Sequence, residues 1–599
     1  MKWEHTRKQL LGILDSVPGI KKIVLSDDKI NEKRKKILSE INSYQDKLFK
    51  TNPDLPSLEW VLSRDSGWVL RSMFLQRNEI KAGFSALEYV VAVAKGETEK
   101  SVPFVSDGFL KELEHLFKGL SGTSSLYKQR DLMFEKKRGR KAAKLRSRHL
   151  SDIAGYAQER MDSYISGLDR DAISRRQRNR KRILNYFDSE SESWYDWRWQ
   201  TRHIIRDADT LNDLIKLTDE EYRAVKLAGE YKVPFGITPY YLSLMEYHHG
   251  SGLDRAVRAQ VIPSVHYVKK HNEMKKDGLE SMDFMQEIDT SPIEGITRRY
   301  PMIVILKPVM TCPQICVYCQ RNWEIEDVYS KNALLPENKL DEAIKWIEDT
   351  KEIREVLVTG GDPFILSNRR IEYILKGLSK IDHINRIRIG TRTPVTLPFR
   401  IDESLMDTVS KFHVPGRREI LIVTHFEHPY EITPESMKAV QRIRDRHLDV
   451  KNQLVYTFYN SRRFEACALR DKLRLIGVVP YYTFNTKGKE ETNDFRVPIA
   501  RILQEQKEEA RLLPGTLRTD EAVYNVPRLG KNYIRSYQNH ELISILPDGR
   551  RVYEFHPWEK KIDIADTYVN IDVSINDYLK RLKKAGEDIS KYQTIWYYY

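Results

Sequence analysis

From residue 301 onward, apolar residues fall into short β-branched runs that alternate with amphipathic segments of about a dozen residues. "PMIVILKP" precedes "LDEAIKWIEDTKEI", "REVLVTG" precedes "NRRIEYILKGLSKI", and "RIRIG" precedes "ESLMDTVSKF". "EILIVTHF" then leads into "TPESMKAVQRIRDRH", "KNQLVYTFY" into "RFEACALRDKLRLIG", and "VVPYYTF" closes the series. Each apolar run is too short for a helix and each following segment repeats at 3.6 residues, which predicts βα units on a parallel sheet. Thr433 followed by Pro434 marks one helix start chemically, with an N-cap hydroxyl and a proline at the first helical position. About six strands in strict alternation predict an open or partial βα barrel, with a doubly wound sheet as the alternative. Either architecture puts the chemistry in loops at the C-terminal strand ends.

Before residue 190 the pattern is different. Long amphipathic stretches such as "KINEKRKKILSEINSYQDKLF" predict a mainly helical accessory domain. The formal charge of +14 concentrates there, in "FEKKRGRKAAKLRSRHL" and "SRRQRNRKRIL" between Phe134 and Arg182. Such a run reads first as a solvated helical face and second as a contact for a polyanion such as nucleic acid. The acidic-serine stretch "DSESES" (Asp188 to Ser193) is the expected domain boundary. The expected division is therefore 1–190, a basic helical accessory domain; 191–300, a helical part; 301–500, the βα barrel; and 501–599, a C-terminal segment closing the site. The final "YQTIWYYY" is too aromatic for water and is expected to pack on the body or on a neighbouring subunit of a homo-oligomer. No run approaches the roughly 18 apolar residues of a membrane span and the N-terminus lacks a secretory pattern, so a cytoplasmic protein without a membrane partner is expected.

Three of the four cysteines stand in "LKPVMTCPQICVYCQRNW", spaced C-x3-C-x2-C in the loop after the first predicted strand. A structural zinc site wants four nitrogen or sulfur ligands, and no histidine accompanies the three cysteines, which makes zinc the weaker reading. An iron–sulfur cubane on three thiolates keeps one iron open to an exogenous chelator. The spacing and its place after a strand resemble the signature of the radical S-adenosylmethionine enzymes, which implies a 4Fe-4S cluster on Cys312, Cys316 and Cys319 and a 5′-deoxyadenosyl radical. "VTGGDP", after the second strand, resembles the glycine-rich motif against which that superfamily packs the methionyl amino group, implicating Gly360, Gly361 and Asp362.

A closer resemblance follows from "WYDWRWQTRHIIRDADTL", "ITPYYLSL", "GITRRYP", "RIGTRTPVTLP", "THFEHPYEIT", "PYYTF" and "DFRVP". These occur in the order and spacing of the lysine 2,3-aminomutase family, from about Trp194 to about Pro557. The resemblance implies an α/β partial (βα)6 radical S-adenosylmethionine barrel carrying an N-terminal helical extension. It also implies S-adenosylmethionine contacts from His425 and Gln453, and a reductant such as flavodoxin or ferredoxin. That family moves an amino group from C2 to C3 of lysine, using pyridoxal phosphate (PLP) to stabilise a three-membered radical. Arg321 matches the arginine that pairs the substrate carboxylate, and Arg299 with Tyr300 the pair toward the PLP phosphate. Asp520 matches one of two aspartates that hold the lysine ammonium, but Lys487 stands in place of the other, which argues against lysine as substrate.

The PLP site departs further from the family. Nine residues after Asn532, where the family has its Schiff-base lysine, stands Glu541, and a carboxylate cannot form an imine. Ile303 replaces the second phosphate arginine. Lys531 and Lys307 are nearby lysines, but spacing supports neither, so PLP is not expected as a Schiff base. Three functions are weighed: radical chemistry on an amino-acid-like metabolite, the same chemistry on a peptide or nucleic acid recruited by the basic N-terminal region, and a non-enzymatic scaffold. The complete cysteine motif with "GGDP" and Arg321 disfavours the last.

Overall fold

The structure, a computed structural model, describes residues 2–51, 55–97, 105–126, 137–248, 252–278, 282–330, 332–486, 488–509, 512–557 and 565–599. It divides into two compact units: Met1–Ala154 with Val497–Glu508 and Asn532–Tyr599, and Gly155–Arg496 with Glu509–Lys531.

The second unit is built on a curled half-barrel. Its strands are β1 (Ile296–Thr297), β2 (Ile303–Val309), β3 (Glu355–Gly360), β4 (Arg386–Gly390), β5 (Glu419–Thr424), β6 (Asp449–Tyr456), β7 (Val478–Asn485) and β8 (Glu521–Val526), and β9 (Gly530–Tyr533) completes a sheet in strict sequence order. Every pair from β2 to β8 is parallel, while β1 pairs antiparallel with β2. A doubly wound sheet would reverse its strand order at a switch point; this one never does, so the partial barrel is correct. The six predicted strands are β2 to β7. The short β1, β8 and β9 extend the sheet beyond them, because two to six residues leave little periodicity to read.

Between consecutive strands run the predicted helices Glu337–Asp349, Asn368–Ser379, Glu403–Ser410, Pro434–Arg444 and Glu465–Leu475. Each turns an apolar stripe inward, as Ile371, Ile374, Leu375 and Leu378 do at i, i+3, i+4 and i+7. The Thr433 cap forms as the sequence predicts: its hydroxyl accepts from the Ser436 N–H at 3.0 Å and Ser436 Oγ accepts from the Thr433 N–H at 2.7 Å. In β6 the even positions Val450, Asn452, Leu454 and Tyr456 are buried, which turns Gln453 to the opposite face of the strand.

Two sequence expectations change here. The stretch 188–193 does not divide the two units but lies within the second, as a largely exposed turn held by Arg180, which donates to the Ser191 carbonyl at 2.7 Å. The second basic run, in helix Arg170–Tyr186, is largely consumed by packing. Arg175 pairs with Glu246 at 3.1 Å, Arg176 with Glu435 at 2.6 Å, Arg180 lies over the Tyr195 ring at 4.6 Å and Arg182 donates to the Leu214 carbonyl at 2.9 Å. Helix Gly139–Asp162, with the rest of the basic charge, is mostly exposed.

The first unit joins helices, including Ile30–Thr51 from the "KINEKRKK" pattern, to an antiparallel sheet of β10 (His540–Ile545), β11 (Arg551–Phe555) and β12 (Tyr568–Ile571). The aromatic tail packs on the body: Tyr592 and Trp596 are buried, and His115 stacks on Trp596 with centroids 4.8 Å apart. Among the described residues, no helix is long and apolar enough to cross a membrane.

Candidate active site

A cavity of about 310 Å³ opens at the C-terminal ends of the barrel strands and is lined within the second unit. The loop after β2 contributes Cys312, Cys316 and Cys319, all three bordering the cavity. Burial pushes the Cys312 and Cys316 thiols up, and their neighbours' negative charge adds to this for Cys312. Thiols in such a setting ionise only when a cation takes the charge, which fits a metal cluster as the group they hold. Arg392 supplies part of that compensation: its Nη1 donates to Cys316 Sγ at 2.8 Å, while Nη2 is held by Glu431 at 2.8 Å and Nε donates to the His425 carbonyl at 3.1 Å. The fourth cysteine, Cys467, is fully buried on helix Glu465–Leu475.

The "GGDP" turn is fixed against the cysteine loop by backbone contact. Gly361 N–H donates to the Val309 carbonyl at 2.7 Å and Asp362 N–H to the Thr311 carbonyl at 2.9 Å. A Cβ on Gly361 would lie 2.0 Å from the Thr311 carbonyl oxygen, and one on Gly360, at φ +120°, would lie 2.5 Å from that of Val309. Glycine is required at both. Asp362 lines the cavity, yet its carboxylate ties β3 to β4: it accepts from Thr391 Oγ1 at 2.6 Å and from the Arg392 N–H at 2.8 Å. His425 and Gln453 border the same cavity. About 32% of the His425 side chain is accessible, facing the cavity, and burial with the nearby Arg392 takes its imidazole down to about 4, so the ring is neutral at pH 7. Behind it, burial pushes the Glu427 carboxyl up to about 8.

Arg321 and Arg299 reach the cavity too, but both already grip one carboxylate. Glu287, 1% exposed, accepts from Arg321 Nε and Nη2 at 3.1 Å each, from Arg299 Nη2 at 3.0 Å and from Gln320 at 2.6 Å. Burial pushes the Glu287 carboxyl up, but Arg321, Arg299 and Lys307 outweigh it and hold it down at about 2. Lys307 itself pairs with Glu324 at 2.5 Å.

The residues thought to contact the substrate tail do not gather. Lys487 lies outside the described residues. Asp520 does not line the cavity; its carboxylate is taken by Arg470 at 3.2 Å and by Thr483 Oγ1 at 2.6 Å, so it is not free to hold an ammonium. Glu541 sits in the first unit, on β10, accepting from Ser72 Oγ at 2.6 Å. Ile303 and Tyr300 do line the cavity, and so does Lys531.

Three site residues escaped the sequence reading. Arg388 was legible in principle, since "RIRIG" puts charge on alternate positions of a strand otherwise buried. Arg392 stands inside the quoted "RIGTRTP" without an assigned role. Glu287 lies in an irregular segment with no signal of period or spacing.

The barrel, the three converging cysteines and the glycine turn define a radical S-adenosylmethionine protein, and residues 306–459 match the Radical SAM superfamily. The chain is 40% identical over 613 residues to an uncharacterized KamA family protein of Methanocaldococcus jannaschii, covering 99% of this chain and 98% of that one. It belongs to the KamA family. It is also 33% identical to a glutamate 2,3-aminomutase of Clostridioides difficile, over 58% of this chain and 79% of the relative. An L-lysine 2,3-aminomutase of Clostridium subterminale is 34% identical over 54% of this chain and 74% of its own.

Proposed function

We propose that this KamA-family enzyme removes a hydrogen atom from an anionic amino acid, with lysine a poor substrate. A 4Fe-4S cluster on Cys312, Cys316 and Cys319 would supply the electron that cleaves S-adenosylmethionine to the 5′-deoxyadenosyl radical. Gly360, Gly361, His425 and Gln453 would hold S-adenosylmethionine beside it, and a flavodoxin- or ferredoxin-like protein would deliver the electron.

The observation that carries the substrate class is the charge of the cavity wall. Its lining has Arg299, Arg321, Arg388, Arg392, Lys489 and Lys531 against a single carboxylate, Asp362; Glu287, Glu355, Glu431 and Glu491 behind the wall pair with all of these cations but Lys531. Asp520, the one acidic residue retained from the family's ammonium site, is spent on Arg470. At the register of the other stands Lys487. Charges about 4 Å apart at an effective dielectric near 20 interact by about 4 kcal/mol, so even a third of that separates acidic from basic ligands about tenfold. The amino-shifting relative that acts on glutamate makes a dicarboxylic amino acid the first candidate.

The test is a ligand panel with anaerobically reconstituted protein, reductant and S-adenosylmethionine, reading 5′-deoxyadenosine. Glutamate, aspartate or a close analogue should stimulate it at least about tenfold more than lysine, and Lys487→Ala should narrow the gap. Stimulation by lysine equal to that by any acidic ligand, unchanged in Lys487→Ala, would refute the assignment.

A further inference from the structure

Lys531 is half-buried at the cavity wall and, among the described residues, its amine has no ion-pair partner. It follows Gly530, whose φ of +81° and missing Cβ let the Tyr300 hydroxyl approach; a Cβ there would lie 2.5 Å from that oxygen. The same hydroxyl accepts the Lys531 backbone N–H at 2.7 Å. Lys531 Nζ lies 4.9 Å from the Tyr300 ring centre and 5.0 Å from that of Tyr482. Among the described residues, Nζ has no hydrogen-bond or ion-pair partner. Two lysines line the cavity: Lys489 is tied to Glu491 at 2.7 Å, which leaves Lys531 as the uncommitted one, while Lys307, outside the lining, is tied to Glu324. Its charged surroundings are Arg388, Arg299 and Glu355; the two ring faces favour the ammonium, while desolvation first and then the two guanidiniums favour the free amine, and its pKa falls to about 7.

The same wall restores what Ile303 removes. Ile303 pairs with Glu355 across β2 and β3, and Arg388, from β4, reaches that glutamate at 2.5 Å while lining the cavity. Two guanidiniums, Arg299 and Arg388, therefore stand with one nucleophilic amine around one chamber. Paired arginines suit a phosphate, and a lysine desolvated beside cationic groups suits a carbonyl.

We propose that Lys531 is the imine-forming lysine of this chain, binding the aldehyde of PLP while Arg299 and Arg388 hold its phosphate: the cofactor site is relocated rather than lost. In the step, the Lys531 nitrogen adds to the aldehyde carbon, the carbonyl oxygen leaves as water, and a C=N bond replaces C=O with no change of oxidation state. This deepens the proposed function, since such an imine would make the cavity competent for an amino-group shift, but the trapping needs neither cluster nor turnover. Failure of the ligand panel would leave it standing, and its failure would leave the radical chemistry standing.

The experiment is PLP titration of the full-length protein, borohydride reduction and peptide mapping. One adduct per chain is expected on the peptide carrying Lys531, with a labelling rate that reaches half its maximum near pH 7, where surface lysines are still almost fully protonated. Lys531→Arg should abolish it. Arg388→Ala and Arg299→Ala should each weaken PLP about tenfold to a hundredfold, and pyridoxal without the phosphate should label wild type as poorly as these variants label with PLP. Circular dichroism of Lys531→Arg guards against misfolding, and the arginine pair is scored independently of that variant. A main adduct on Lys307, or labelling scattered over surface lysines and indifferent to Lys531→Arg, would overturn the proposal.

Discussion

At the scale of single residues the site turns on Glu287. One buried carboxylate answers three cationic side chains, Arg321, Arg299 and Lys307. Its carboxyl sits at about 2 in the folded chain against an ordinary 4.5. A folded value below the unfolded one means the protein gains stability from this group above pH 4.5 and loses it as the pH falls toward 2. That depression corresponds to about 3 kcal/mol. Glu287→Gln should therefore cost about 3–5 kcal/mol at neutral pH by stranding the cations, and the gap between wild type and variant should narrow by about 2 kcal/mol as denaturation is measured from pH 6 down to pH 3. A gap independent of pH would show that the carboxylate charge is not what matters. The same arrangement bears on binding: a substrate carboxylate reaching Arg321 has to share the guanidinium with Glu287 or displace it.

At the scale of elements, two placements of cysteine contrast. Cys312, Cys316 and Cys319 stand on an irregular loop at the mouth of the barrel, and Cys467 on a helix whose side chain at that position is fully buried among Ala157, Phe464 and Ala468. Replacing any loop cysteine with Ala should abolish S-adenosylmethionine cleavage and leave reconstituted protein well short of about four irons per chain. Cys467→Ala should keep both and cost about 1 kcal/mol or less in packing. If Cys467→Ala alone lost the iron, the three-thiolate site would be wrong. Elements of this kind were readable from the chain because each has a local signal: β2 to β7 by short β-branched runs, their helices by 3.6 periodicity, the cysteines and glycines by spacing. Lys531 and Glu287 had none, and Arg388 only the alternating charge of "RIRIG". Their roles come from strands brought side by side, where Ile303 meets Glu355 and Glu355 meets Arg386, and register across a parallel sheet is not written in any one segment. The family's own register pointed to Glu541, and the amine that reaches the cavity stands ten positions earlier, at Lys531.

At the scale of the whole molecule, the chain crosses between units more than once, so sequence neighbours part and distant segments join. Helix Asp107–Leu120, β11 and the aromatic tail meet at one buried ion pair: Arg551 Nε and Nη2 each donate to Glu112 at 2.9 Å, and Arg551 also donates to the Trp596 carbonyl at 2.7 Å and the Tyr598 carbonyl at 2.5 Å. Both charged side chains are 1% exposed. Burial lowers the arginine's affinity for its proton and raises the glutamate's, and each answers the other's charge. Removing one partner strands a charge that water cannot reach, which costs about 3–5 kcal/mol, whereas replacing both by apolar residues of similar volume costs much less. Arg551→Met should therefore destabilise the first unit by that amount, and Arg551→Met with Glu112→Leu should recover most of it. Hydrogen exchange reads the effect locally: protection should fall in peptides covering 107–120, 540–555 and 589–599 while peptides of β2 to β7 keep theirs. Equal loss of protection in the barrel strands would mean that the two units unfold as one, and the pair would then belong to the stability of the entire chain.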